Sequence, residues 1–167
     1  MQRIAKFSKV SWEQFVKDWR EEFYTDDETT RKIYCGIDVP KRATKGSAGY
    51  DFFAPIEFAL EPGETIKIPT GIRCEMNEGW VMMGFPRSGL GCKYRMRLSN
   101  TVCILDEDYF YSDNEGHIFI KVVNEGDKTM TVKAGDGFAQ GIFIQYGITE
   151  DDNATNKRNG GFGSTTK

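Results

Sequence analysis

A single histidine, His117, and four cysteines with no close pair among them limit the chemistry open to this chain. One imidazole excludes a multi-histidine metal site and leaves no second ring for a proton relay. HIFIKVV alternates like a strand, so His117 reads as a structural or surface residue. Cys35, Cys74, Cys92 and Cys103 fall at neither metal-ligand nor redox-motif spacing, and read as free thiols in a reducing compartment. No apolar run approaches the length needed to cross a bilayer, which argues against insertion in a membrane. MQRIAKFSKVSWEQF lacks both an apolar core and a small-residue cleavage site, so a cytoplasmic location is expected. The net charge of -3 argues against a general nucleic-acid surface. An anionic ligand would need local positive charge or a metal.

What is present begins with SWEQFVKDWREEFY. Trp12, Phe15, Val16, Trp19 and Phe23 recur at helical spacing behind Ser11 as N-cap, predicting an amphipathic helix over 11–24. A second short helical stretch is expected in TDDETTRKIY, with acidic residues near its start. The apolar stripe most simply packs on the domain that follows, and a protein partner for the N-terminal helix is the alternative. After Pro40 the pattern turns to short β-like runs, ETIKIPTGIR, GWVMMGF, HIFIKVV, KTMTVKA and FAQGIFIQY, divided by glycine-containing turns. Such spacing implies an antiparallel sandwich or barrel rather than a parallel α/β sheet. The expected organisation is a helical extension over 1–38, an all-β core over 39–148 and a polar arm over 149–167.

The tail RNGGFGSTTK sets Phe162 among glycines, with Arg158 before it and hydroxyls after it. Gly160, Gly161 and Gly163 let backbone amides approach an anion, Ser164 and Thr165 add donors, and Arg158 offers a planar fork to phosphate. A flexible polar terminus is the plain alternative. Upstream, PRSGLG places Arg87, the Ser88 hydroxyl and the Gly89 amide within three residues, a compact set of donors for phosphate oxygens. In NTVCILDEDY, Asp106 follows an apolar run and so stands at a strand end, where a carboxylate could accept a proton from water or simply form a turn.

AGYDFFAP, PRSGLG, NTVCILDEDY, AGDGFAQG and GGFGST resemble, in that order, the five motifs of the homotrimeric dUTPase family. The resemblance covers about 39–167. It implies a jelly-roll-like all-β barrel, assembled as a homotrimer with sites at the subunit interfaces, and hydrolysis of dUTP to dUMP and pyrophosphate. That activity would lower dUTP and supply dUMP for thymidylate synthesis. Asp106 would be the general base for a water attacking the α-phosphate, and Tyr109 would pack under the deoxyribose and leave no room for a 2′-hydroxyl. Asn100 with the backbone of Ile104 and Leu105 would read uracil, whose O4 accepts and N3 donates; cytosine reverses both, leaving buried groups unpaired. Arg87, Ser88, Gly89, Gln140 and Arg158 would hold the triphosphate, Phe162 would stack on the base, and Gly163, Ser164 and Thr165 would close the site. Asp51 would hold Mg²⁺ through water, with no direct protein ligand to the ion.

Departures accompany the match. Cys103 stands where the family usually has glycine, Leu105 where isoleucine is common, Glu107 where a small residue is common, and Gly137 where arginine is usual. The glycine usual after Tyr109 is missing, and FYSDNEGHI makes a longer turn. Two other readings stand beside hydrolysis of dUTP: a dCTP deaminase, which shares the general fold, and a regulatory binding protein that uses its N-terminal helix. The full tail and the Asp-x-x-Tyr pair disfavour the first, and the intact catalytic set disfavours the second.

Overall fold

The computed structural model describes residues 2–160. Helix α1 (Trp12–Glu22) starts where the sequence predicts, because the Ser11 hydroxyl accepts a hydrogen bond from the Gln14 amide at 3.1 Å. It stops at Phe23, whose extended backbone leaves the helical path. Helix α2 (Asp27–Gly36) is capped in the same way, with Asp26 accepting from the Thr29 amide at 2.7 Å. Phe15 and Trp19 are completely buried and stack with ring centroids 5.2 Å apart. The α1 stripe therefore lies in the protein's own core, beside Ile37, Ile68 and Ile72.

The expected helical extension over 1–38 needs a correction at its start. Residues Ala5–Lys9 form strand β1, which runs antiparallel to β5 (Ile72–Met76) with Phe7 opposite Cys74. AKFSK is only five residues long with two lysines, so its pairing with a strand far along the chain leaves little local signal.

The remaining strands are β2 (Tyr50–Phe53), β3 (Phe58–Leu60), β4 (Thr65–Pro69), β6 (Trp80–Pro86), β7 (Met96–Leu98), β8 (Cys103–Leu105), β9 (Phe119–Asn124), β10 (Met130–Val132) and β11 (Gly137–Gln145). All pairings are antiparallel: a four-stranded sheet in the order β2-β11-β6-β8, a three-stranded sheet β4-β9-β7, and the pairs β1-β5 and β3-β10. ETIKIPTGIR is two strands in different sheets, divided at Gly71. There φ is +72°, and a Cβ would lie 2.4 Å from the Ile37 side chain. Inward residues of the sheets, among them Phe52, Ile68, Met82, Leu98, Val122 and Phe138, share one core with α1. The short helix α3 (Ser88–Tyr94) follows β6, and a 3₁₀ turn (Glu107–Tyr111) follows β8. No helix among the described residues is long and apolar enough to cross a membrane.

Candidate active site

Strand β8 pairs with β6 through Leu105–Met82, Ile104–Met83 and Cys103–Gly84, and it hangs from a tight hairpin at Thr101, where φ is +66°. The hairpin presents Asn100, Cys103, Ile104 and Leu105 to a cavity of about 310 Å³ that Asp106, Tyr109 and Arg158 also line. Leu105 and Tyr109 are buried, whereas Ile104 is 52% exposed. One concave site thus gathers most of the residues expected to read the base, pack the sugar and activate water.

Tyr109 is fixed at both ends of its hydroxyl, which donates to the His117 carbonyl at 2.7 Å and accepts from the Asn114 amide at 2.9 Å. Burial pushes its phenol pKa up, so the hydroxyl stays protonated. Asp106 precedes the 3₁₀ turn and its side chain is half exposed. Arg158 reaches back from the arm to pair with Asp106 and with Asp108, the latter at 2.8 Å. Its guanidinium also lies 6.0 Å from the Tyr109 ring centroid.

Asp51, Arg87 and Gln140 form a second group, brought together by β2, β11 and β6. Asp51 is the register partner of Gln140, and Arg87 follows the last residue of β6 and pairs with the Asp51 carboxylate. The Gln140 amide donates to the Pro86 carbonyl at 3.2 Å. Its side chain crosses Gly49, where a Cβ would come within 2.4 Å of Oε1. Ser88 and Gly89 open α3 and are exposed, and a Cβ added at Gly89 would meet nothing within 4 Å. Amides at the start of a helix have no intrahelical acceptor, so this loop offers donors outward.

Among the expected site residues, Arg158 is therefore found on carboxylates rather than beside the phosphate loop. Asp51 is engaged by Arg87, and no group of three or more acidic, histidine or cysteine side chains among the described residues could cage a metal. Phe162, Gly163, Ser164 and Thr165 lie outside the described residues.

Residues 36–166 match the dUTPase family model. This chain belongs to the dUTPase family. It is 39% identical over 139 residues to the deoxyuridine 5'-triphosphate nucleotidohydrolase of Lactococcus lactis, a match that spans 81% of this chain and 93% of that protein. The solved dUTPase of Streptococcus mutans is 30% identical with a TM-score of 0.64, covering 86% of this chain and 98% of that one. A dUTPase mutant from phage phi11 of S. aureus, which coordinates a structural Mg(II) ion, covers 92% of this chain and 98% of its own with a TM-score of 0.64; at 18% identity it bears on the fold alone.

Four departures from the dUTPase pattern have local explanations. Gly137 leaves room for Arg87, since a Cβ there would stand 2.9 Å from its guanidinium. Cys103 packs against Gly84 across the β6–β8 pair, where a Cβ on the glycine would be 2.9 Å from the Cys103 Cβ, and burial raises its thiol pKa. Glu107 accepts from the Gly79 amide at 2.7 Å and ties the 3₁₀ turn to the β5–β6 loop. The longer turn after Tyr109 needs Gly116, whose φ is +70° and whose Cβ would lie 2.6 Å from the Phe110 Cα. Sequence reasoning missed Asp108 and Asn114, and left His117 open between a structural and a surface role, of which the structure shows the buried, structural one. Asn114 and His117 lie in FYSDNEGHI, whose length is the one signal toward them.

Proposed function

We propose that this chain hydrolyses dUTP to dUMP and pyrophosphate, lowering dUTP and supplying dUMP for thymidylate synthesis. The observation that carries this reading is the single cavity shared by the uracil-reading hairpin, Asp106 and Tyr109. Asp106 takes a proton from water as its oxygen bonds to the α-phosphorus. The bond from that phosphorus to the bridging oxygen of the β-phosphate then breaks, and pyrophosphate leaves. Asn100 and the Ile104–Leu105 backbone pair with uracil, while Tyr109 supports the deoxyribose.

Arg87, Ser88, Gly89 and Gln140 receive the triphosphate through fixed donors. The triphosphate also draws Arg158 away from Asp106 and Asp108, which frees Asp106 to act as base. Asp51 keeps one carboxylate oxygen on Arg87, and the other would hold a Mg²⁺ ion through water. That donor set suits an ion that retains its waters. When bound, Mg²⁺ neutralises charge on the triphosphate. The chain assembles as a homotrimer in the cytoplasm, with each site completed by neighbouring subunits and closed by an arm carrying Phe162, Gly163, Ser164 and Thr165.

The test is pyrophosphate release from dUTP, dCTP, dTTP and UTP with Mg²⁺, beside the Asp106→Asn variant. Release from dUTP alone is expected, with the variant slower by about 10²–10⁴-fold yet still binding dUTP. A fully active Asp106→Asn enzyme would remove the assigned base, and ammonia release from dCTP would replace the reaction.

A further inference from the structure

Tyr109 owes its place to residues far outside the cavity. Its hydroxyl ends on the backbone carbonyl of His117, and the His117 side chain, fully buried, is locked to two other elements. Nε2 accepts the Gly71 amide hydrogen at 2.7 Å, so that nitrogen carries no proton. Nδ1 therefore bears the ring hydrogen and donates it to Asp18 on α1 at 2.5 Å. The same Asp18 oxygen accepts from the Gln14 amide at 2.8 Å, which holds the carboxylate on the α1 surface. The ring lies between Phe15, 6.2 Å away, and Phe119, 4.7 Å away. A second tie joins the same turn to α1, where Glu115 accepts from both the amide and the hydroxyl of Ser11, at 2.8 and 2.7 Å. The long turn after Tyr109 and the N-terminal helix are thus matched parts.

From this geometry we infer that Asp18 and His117 are positioning residues for Tyr109, so that the N-terminal helix sets how strictly the site excludes a 2′-hydroxyl. The inference rests on the reading that Tyr109 packs under the deoxyribose. Asp18 and His117 touch no substrate; they hold the carbonyl on which the tyrosine hydroxyl rests. A carbonyl free to shift lets the ring tilt and admits the ribose oxygen, because a side chain displaced by a fraction of an ångström no longer supplies the same wall.

The test compares kcat/KM for dUTP and UTP in the full chain and five variants. Asp18→Ala should lower the dUTP-to-UTP ratio by about tenfold, the size expected for one buried hydrogen bond. Asp18→Asn should restore most of it, because its amide oxygen still accepts from Nδ1. Tyr109→Phe keeps the ring and removes only the anchor, so it should lower the ratio similarly, and the double variant should fall no further than either single one. Val132→Ala, a core truncation in β10, should lower the melting temperature and leave the ratio unchanged. An unchanged ratio in folded Asp18→Ala, or an equal loss in Val132→Ala, overturns the inference. If Asp18→Ala does not fold, an unchanged ratio in Tyr109→Phe overturns it instead. A wild-type chain inactive on dUTP overturns both this inference and the proposed activity, whereas an active one with an unmoved ratio overturns this one alone.

Discussion

Tyr109 and Gly89 are both expected to meet the substrate, yet they are held in opposite ways. The tyrosine is 5% exposed, with its hydroxyl engaged by two partners. The glycine opens a short helix at the surface, and a side chain there would meet nothing. Around Tyr109 and Leu105 the cavity wall is shaped by burial and hydrogen bonds within the chain, whereas Asn100 and Ile104 stand at its exposed edge. The half proposed to face phosphate is an exposed set of donors steadied mainly by the Arg87–Asp51 pair. On the proposed reading, shape around the sugar is set by the interior, while charge for the triphosphate is left near water.

Arg87→Ala should break the phosphate half most severely. It removes a proposed phosphate donor and leaves Asp51, whose side chain is only 12% exposed, without its partner. We expect kcat/KM for dUTP to fall by on the order of 10²-fold. The stability loss should be about 1 kcal/mol, below the buried-pair range because the Arg87 side chain is 40% exposed. Arg87→Lys should not restore the rate, since a point charge cannot reproduce the fork. Steady-state kinetics and thermal melts of both variants decide this.

Gly116→Ala sharpens the contrast from the other side. The position needs φ +70°, and the backbone of Phe110 would lie 2.6 Å from an added Cβ, so the turn behind Tyr109 must shift. About 1–3 kcal/mol of stability should be lost in denaturant unfolding, together with activity on dUTP. Gly89→Ala should change stability least, within about 1 kcal/mol, because helix propensity favours alanine and nothing stands in its way. Its KM for dUTP should rise while its melting temperature holds. A melting temperature that drops as far as in Gly116→Ala would show the two halves to be built alike.

Local pattern makes much of this legible. The α1 stripe and its Ser11 cap, the runs that form β6, β10 and β11, and the ordered motifs all follow from spacing over short stretches of chain. Helix α3 does not, because SGLGCKY has two glycines that oppose helix; it forms where the Arg87 amide reaches the Phe138 carbonyl and Arg95 closes the end at φ +51°. HIFIKVV reads as a strand beginning at His117, yet β9 begins at Phe119 and leaves the imidazole inside, against a helix residue 99 positions earlier. No periodicity reports a partner at that separation. Arg158 is equally opaque, since its pairing with Asp106 and Asp108 depends on where the arm folds back.

The family match begins at residue 36, but the folding unit does not. Strand β1 is laced to β5, and α1 contributes Phe15 and Trp19, two of the largest fully buried side chains. A protein trimmed to the family boundary would therefore lose part of its interior rather than an appendage. Affinity tags are better placed ahead of Ala5 than spliced between the helices and β2, and a shortened version chosen by homology alone should aggregate when expressed. The boundary of the family match and the boundary of the folding unit do not coincide: the segment before residue 36 supplies part of the core on which the rest of the fold rests.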